Sequence, residues 1–115
     1  MPLQVTWGKC QTEPYWCTFL GLNLEHEVLK DLYGVYIIWQ KDNAVIYTGS
    51  GEIKKRIAAH RNEDNITKYK NLYVTLAQVN KIQMKGIETY LYDLYKPLEG
   101  ERTPDVTPIP VNTPW

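Results

Sequence analysis

The sequence predicts an α/β (α+β) domain built on a small, mainly antiparallel sheet of three strands flanked by helices. Two patterns carry that prediction. Residues 34–40, 44–48 and 72–79 are rich in β-branched and aromatic side chains, whereas residues 52–61 and 82–95 space their apolar residues at helical intervals. At 115 residues the chain makes one domain, long enough for a core and too short for two.

Residues 1–32 read as an arm packing on that core. Trp7, Tyr15, Trp16 and Phe19 mix there with Gly8 and Pro14, which predicts irregular structure with one short strand near residues 16–20. Asn23 is a candidate N-cap for a short helix over residues 25–32. Residues 34–40 and 44–48 form a hairpin around Lys41-Asp42-Asn43, and Gly49-Ser50-Gly51 is expected to end its second strand. In the helix at 52–61, Ile53 and Ile57 share the buried side. Residues 62–71 are polar and read as a loop before the third strand. In the helix at 82–95, Ile87, Tyr90, Leu91 and Leu94 form an apolar stripe, with Glu88 at its margin. Pro97 stops that helix. Residues 99–115 carry Pro104, Pro108, Pro110 and Pro114 and read as an extended, proline-rich tail.

Charge is unevenly distributed. Thirteen basic and thirteen acidic residues give zero formal net charge, yet residues 54–85 hold eight basic against two acidic side chains. The flanks, 1–53 and 86–115, are each at −3. A basic block between acidic flanks points to a surface that faces a polyanion, with an ordinary solvated helix face as the plainer alternative. No apolar run approaches the ~18 residues of a membrane span, and the amino terminus lacks a signal peptide's charged and apolar regions. A cytoplasmic protein is therefore expected, with Cys10 and Cys17 as reduced thiols. Those cysteines and His26 fall short of the four ligands of a structural zinc site.

The most informative segment spans residues 34–60. Gly34-Val35-Tyr36 opens one strand, Tyr47-Thr48-Gly49 closes the next after ten intervening residues, and Arg56 and His60 follow one helical turn apart. Two phenols, a guanidinium and an imidazole then stand near one hairpin. Arg56 suits the bidentate grip on nonbridging phosphate oxygens. His60 can pass protons near neutrality. Either Tyr36 or Tyr47 could accept a proton from water, provided a neighbouring cation or base lowers a phenol pKa of about 10. Glu88 is a hard carboxylate of the kind that binds Mg²⁺ or Mn²⁺ together with substrate phosphate and water. Each residue alone also has an ordinary reading: strand aromatic, solvated arginine, helix-end histidine, exposed glutamate.

Taken in order, these elements resemble the GIY-YIG nuclease domain over residues 33–98. Gly34-Val35-Tyr36 and Tyr47-Thr48-Gly49 match its two triplets, Arg56 and His60 its helical arginine and histidine, and Glu88 its metal-binding glutamate. Arg56 follows Tyr47 by one residue fewer than is common in the family, and the asparagine often found after the last helix is absent from Pro97-Leu98-Glu99-Gly100-Glu101. The resemblance implies one metal, Tyr36 as general base, Tyr47 and His60 assisting, Arg56 on phosphate and Glu88 on Mg²⁺ or Mn²⁺. Gly34 and Gly49 are read as structural turn residues, Gly49 together with Gly51 allowing a tight strand-to-helix turn. Lys54, Lys55 and Arg61 at the head of the basic block are expected to bind the nucleic-acid backbone, DNA first and RNA not excluded. With no appended specificity domain, sequence selectivity should be slight or supplied by a protein partner. The rival reading is a non-catalytic nucleic-acid-binding or protein-interaction module on the same fold, favoured by net neutrality and the missing asparagine.

Overall fold

A computed structural model describes residues 2–8, 17–40, 42, 44–102 and 105–114. Cys10, Tyr15, Trp16, Lys41, Asn43, Pro104 and Trp115 lie outside the described residues. The elements in chain order are β1 (Trp7–Gly8), β2 (Cys17–Thr18), a 3₁₀ turn (Glu27–Leu29), β3 (Tyr33–Gln40), β4 (Val45–Glu52), α1 (Ile53–His60), α2 (Asp64–Thr67), β5 (Leu72–Gln78) and α3 (Met84–Tyr95).

The sheet is antiparallel throughout, in the order β1-β5-β3-β4, with β2 also paired to β5. Five strands therefore replace the expected three. The extra two are two-residue pieces of the N-terminal arm paired with β5: β2 lies within the short strand expected near residues 16–20, and β1 is too short to leave a periodic signal. The expected helix at 25–32 contracts to the 3₁₀ turn, capped by His26 Nδ1 accepting from the Val28 amide, while Asn23 Oδ1 accepts from Glu25. Within the expected loop at 62–71, α2 forms around fully buried Ile66. Cys17 is disulfide-bonded, which corrects the expected reduced thiol.

Gly49-Ser50-Gly51 does not end the second strand. β4 runs through it to Glu52, pairing Gly49 with Tyr36, Ser50 with Val35 and Gly51 with Gly34. Gly34 and Gly49 are thus mid-strand residues, not turn residues. A Cβ on Gly34 would run into the Ala77 carbonyl of β5, and one on Gly49 into the Tyr36 ring. The glycine that turns the chain is Gly51, at φ +135°, a conformation that side-chain-bearing residues rarely adopt. Ile53 then starts α1, its amide bonded to the Leu32 carbonyl.

Register sorts the strand residues onto two faces. One face carries Tyr36, Ile38 and Val74 and packs against Phe19 and, from α1, Ile53 and Ile57. The other carries Val35, Ile37, Trp39 and Ala77 and packs against Ile87 and Leu91 of α3. Leu94, expected in the α3 stripe, stands largely exposed. The proline-rich tail lies along α3, where the Ile109 amide bonds the Gly86 carbonyl and Val111 is buried. It also clasps the N-terminal arm: Leu3 bridges Val111, Asn112 exchanges side-chain hydrogen bonds with Val5, and Trp7 Nε1 donates to the Asn112 carbonyl.

Candidate active site

Tyr36 lies at the centre of the helical α1 face. Among the described residues it is the largest fully buried side chain, and it fits because Gly49 opposite it in β4 has no side chain. Its hydroxyl lies 2.7 Å from His60 Nε2 and accepts from Arg56 Nε at 3.3 Å. Arg56 Nη2 donates to the Tyr47 hydroxyl at 3.5 Å. The Tyr36 and Tyr47 rings stack at 6.1 Å between centroids, with the imidazole tilted against both. Arg56 and His60 are one turn apart on α1 and so reach the same pair of phenols, as their spacing predicted.

Burial governs the electrostatics. It pushes the Tyr36 phenol far above its ordinary value, and the Arg56 guanidinium only partly offsets this. Tyr47 is raised for the same first reason. Both phenols therefore carry their protons at neutral pH, so Arg56 alone does not supply the lowering that a phenol base needs. Burial would weaken Arg56's own hold on its proton, but the two phenol oxygens more than reverse that. His60 is lowered by burial, against the opposing pull of Glu63, and stays neutral at pH 7.

Glu88 approaches from the other face of the sheet. In the first half of α3 it is mostly buried, and its Oε1 accepts from Ser50 Oγ at 2.5 Å and from Lys85 Nζ at 3.3 Å. Ser50 follows Gly49 in β4, the strand at the open end of the sheet order. The cluster is therefore divided by β4, with Tyr36, Tyr47, Arg56 and His60 on one side and Glu88 on the other. Glu88 is still close enough to act on both phenols electrostatically.

The predicted backbone-binding residues fare differently. Lys55 is exposed and loosely paired with Glu52 at 3.3 Å, and Lys54 pairs with Glu25 at 3.1 Å. Lys68 pairs with Glu99 and Lys85 with Glu88, so the acidic flanks fold back onto the basic block. Arg61 is not a free cation. Its guanidinium makes three hydrogen bonds to the carbonyls of Phe19 and Leu22 and holds the N-terminal arm.

Two partners escape the sequence reading. Ser50 looks like a turn residue between glycines, and only its alternation with Gly49 would have set it on the α3 face. Glu63 looks like the start of a loop, yet its Oε1 lies 2.6 Å from His60 Nδ1. The i, i+3 spacing of His60 and Glu63 was the available signal. An open groove of about 410 Å³ lies elsewhere, between Phe19, Leu20 and Tyr69–Tyr73, and none of the five cluster residues lines it.

Neither the curated proteins nor the solved structures yield a match to this chain. The family model of the GIY-YIG catalytic domain matches residues 32–101, which is 70 of 115 residues and spans every member of the cluster. With both triplets on adjacent antiparallel strands and α1 directly behind them, the chain belongs to the GIY-YIG nuclease family.

Proposed function

We propose that the protein is a metal-dependent endonuclease that hydrolyses DNA phosphodiester bonds with little sequence selectivity of its own. The observation that carries this reading is the Tyr36 hydroxyl, held between a neutral imidazole at 2.7 Å and a guanidinium at 3.3 Å. A buried phenol used only for packing needs one hydrogen-bond partner. This one has a proton acceptor and a cation at the same oxygen.

The chemistry follows from those contacts. Water aligned on the phosphorus gives a proton to the Tyr36 oxygen as the phenol's own proton moves to His60 Nε2. The water oxygen forms the new P–O bond. The bond to the leaving oxygen breaks, its electron pair stays on that oxygen, and solvent protonates it. Arg56 and the Tyr47 hydroxyl donate to the nonbridging oxygens, where charge accumulates. His60, buried and neutral at rest, is ready to receive the proton.

The donor set around Glu88 fits a hard divalent cation. Ser50 and Lys85 steady the carboxylate, and a single carboxylate suffices for Mg²⁺ or Mn²⁺ when water and substrate phosphate complete the shell. Among the described residues no three His, Cys, Asp or Glu side chains form a cage. When bound, such an ion would supply positive charge against the phosphoryl oxygens. Lys54 pairs with exposed Glu25, a weak contact exchangeable for phosphate, and the ammonium groups of Lys55 and Lys68 stay largely in solvent, where they can meet a polyanion. Selectivity would come from a partner protein. Among the described residues no helix is long and apolar enough to cross a membrane.

The test is nicking of supercoiled plasmid with Mg²⁺ or Mn²⁺, run beside a structured RNA. Wild type should nick the plasmid and Glu88→Ala should not. Salt-sensitive DNA binding without nicking in either metal would replace this reading with the non-catalytic module.

A further inference from the structure

We propose that Glu63 is a positioning residue that fixes the His60 tautomer and so directs the Tyr36 proton. The inference rests on the reading of Tyr36 and His60 given above. A neutral imidazole has one N–H and one acceptor nitrogen, and which is which depends on its neighbours. His60 is almost fully buried, with two contacts short enough to decide the matter: Nδ1 to Glu63 Oε1 at 2.6 Å and Nε2 to the Tyr36 hydroxyl at 2.7 Å. An ionised carboxylate only accepts, so Nδ1 carries the hydrogen. Nε2 is then left as the acceptor, and the Tyr36 hydroxyl must donate to it. In the opposite tautomer Nδ1 would meet the carboxylate with lone pairs on both sides, and the Nε2 hydrogen would be a second donor to a Tyr36 oxygen that already accepts from Arg56 Nε.

The backbone around Glu63 indicates that this contact is built in. Glu63 occupies the N-cap position of α2, but its carboxylate makes no bond to the amides of that helix. It turns back to His60. Its amide bonds the His60 carbonyl, its carbonyl accepts from Ile66 and Thr67, and buried Ile66 anchors the turn. When the Tyr36 proton reaches Nε2, the Nδ1–H stays with Glu63 and the imidazolium faces a negative charge. With 42% of its side chain exposed, Glu63 can be partly replaced by water, so its loss should weaken the relay without abolishing it.

The experiment is ¹⁵N NMR of the imidazole at pH 7.5, beside plasmid nicking by the same samples. Wild-type His60 should show Nδ1–H and an acceptor Nε2. Glu63→Ala should populate the Nε2–H form and nick about 10- to 100-fold more slowly. Glu63→Gln, whose amide oxygen still accepts from Nδ1, should keep the wild-type tautomer and recover most of the rate. An Nε2–H tautomer in wild type overturns the proposal even if no variant folds. An unchanged tautomer and rate in Glu63→Ala overturns it as well. A wild type that fails to nick any nucleic acid sinks the nuclease reading, while the tautomer measurement still decides the role of Glu63.

Discussion

Replacing Gly49 with alanine adds one methyl group at the most crowded point of the cluster. An alanine Cβ there would overlap the Tyr36 hydroxyl, reach Cζ of the same ring at 2.5 Å and stand 2.9 Å from a Tyr47 ring carbon. Tyr36 has no exposed surface and is held by His60 and Arg56, so its ring cannot swing aside. The strain must move β4 outward or tilt the phenol. Overpacking of this kind costs about 1–3 kcal/mol. A domain of this size loses roughly 4 °C of Tm per kcal/mol, so a fall of about 4–12 °C is expected. Nicking should suffer more than stability, because a reacting group displaced by about 1 Å can lose about 100-fold in rate. Gly8 is the internal control. It is also a strand glycine, but a Cβ there would meet only the Leu76 carbonyl oxygen at 3.5 Å and a Leu76 methyl at 3.6 Å, which is ordinary contact. Gly8→Ala should stay within about 0.5 kcal/mol of wild type. Thermal melts followed by circular dichroism and single-turnover nicking test both. If Gly49→Ala melts and nicks like Gly8→Ala, Tyr36 does not occupy the space opposite Gly49 and the reasoning fails.

Ser50→Ala removes the 2.5 Å hydrogen bond to Glu88 and should weaken the apparent affinity for Mg²⁺ about 10- to 100-fold in a metal titration of nicking. An unchanged titration would mean that the carboxylate needs no support from β4. Because burial lowers the His60 pKa, the unfolded chain takes up its proton at a higher pH than the folded one. The stability from this group is complete above about pH 6.5 and lost as the pH falls through the folded value. Urea midpoints should decline from pH 7.5 to 5, less so in His60→Asn; an equal slope in both would refute this source. Arg61→Ala strips three hydrogen bonds from the Phe19 and Leu22 carbonyls and should cost about 1–3 kcal/mol. The salt dependence of DNA binding should stay unchanged, whereas Lys55→Ala should make it shallower. A shallower salt slope in Arg61→Ala would return that residue to the nucleic-acid surface.

The sequence made legible those features whose causes are local. The runs of β3 and β5 and the apolar spacing in α1 and α3 each sit in one stretch of chain, and the structure has those elements with ends shifted by a few residues. The gathering of Tyr36, Tyr47, Arg56 and His60 was readable for the same reason, since a hairpin and one helical turn bring them together. What the sequence concealed is set by distant partners. Gly49-Ser50-Gly51 has the composition of a turn, but Gly34, Val35 and Tyr36 pair with it and keep it in the sheet. Arg61 looks like one more cation of a basic block because its partners are backbone carbonyls about forty residues earlier, which carry no mark in the sequence. The neutralisation of that block by Glu25, Glu52, Glu88 and Glu99 was likewise visible only as a net charge of zero.

The clasp between Leu3, Val5, Trp7 and the segment 110–112 joins residues 107 positions apart. In an unfolded chain, closing so long a loop costs on the order of 4 kcal/mol in entropy, about what the five hydrogen bonds of the clasp return. Once the sheet and α3 have formed, most of that separation has already been bridged. The clasp should therefore assemble last and open first, its two strands together. In native-state hydrogen exchange the amides of Leu3, Val5 and Asn112 should behave as one cooperative unit, less protected than those of β3. Cutting either arm should release the other and leave the paired phenols undisturbed.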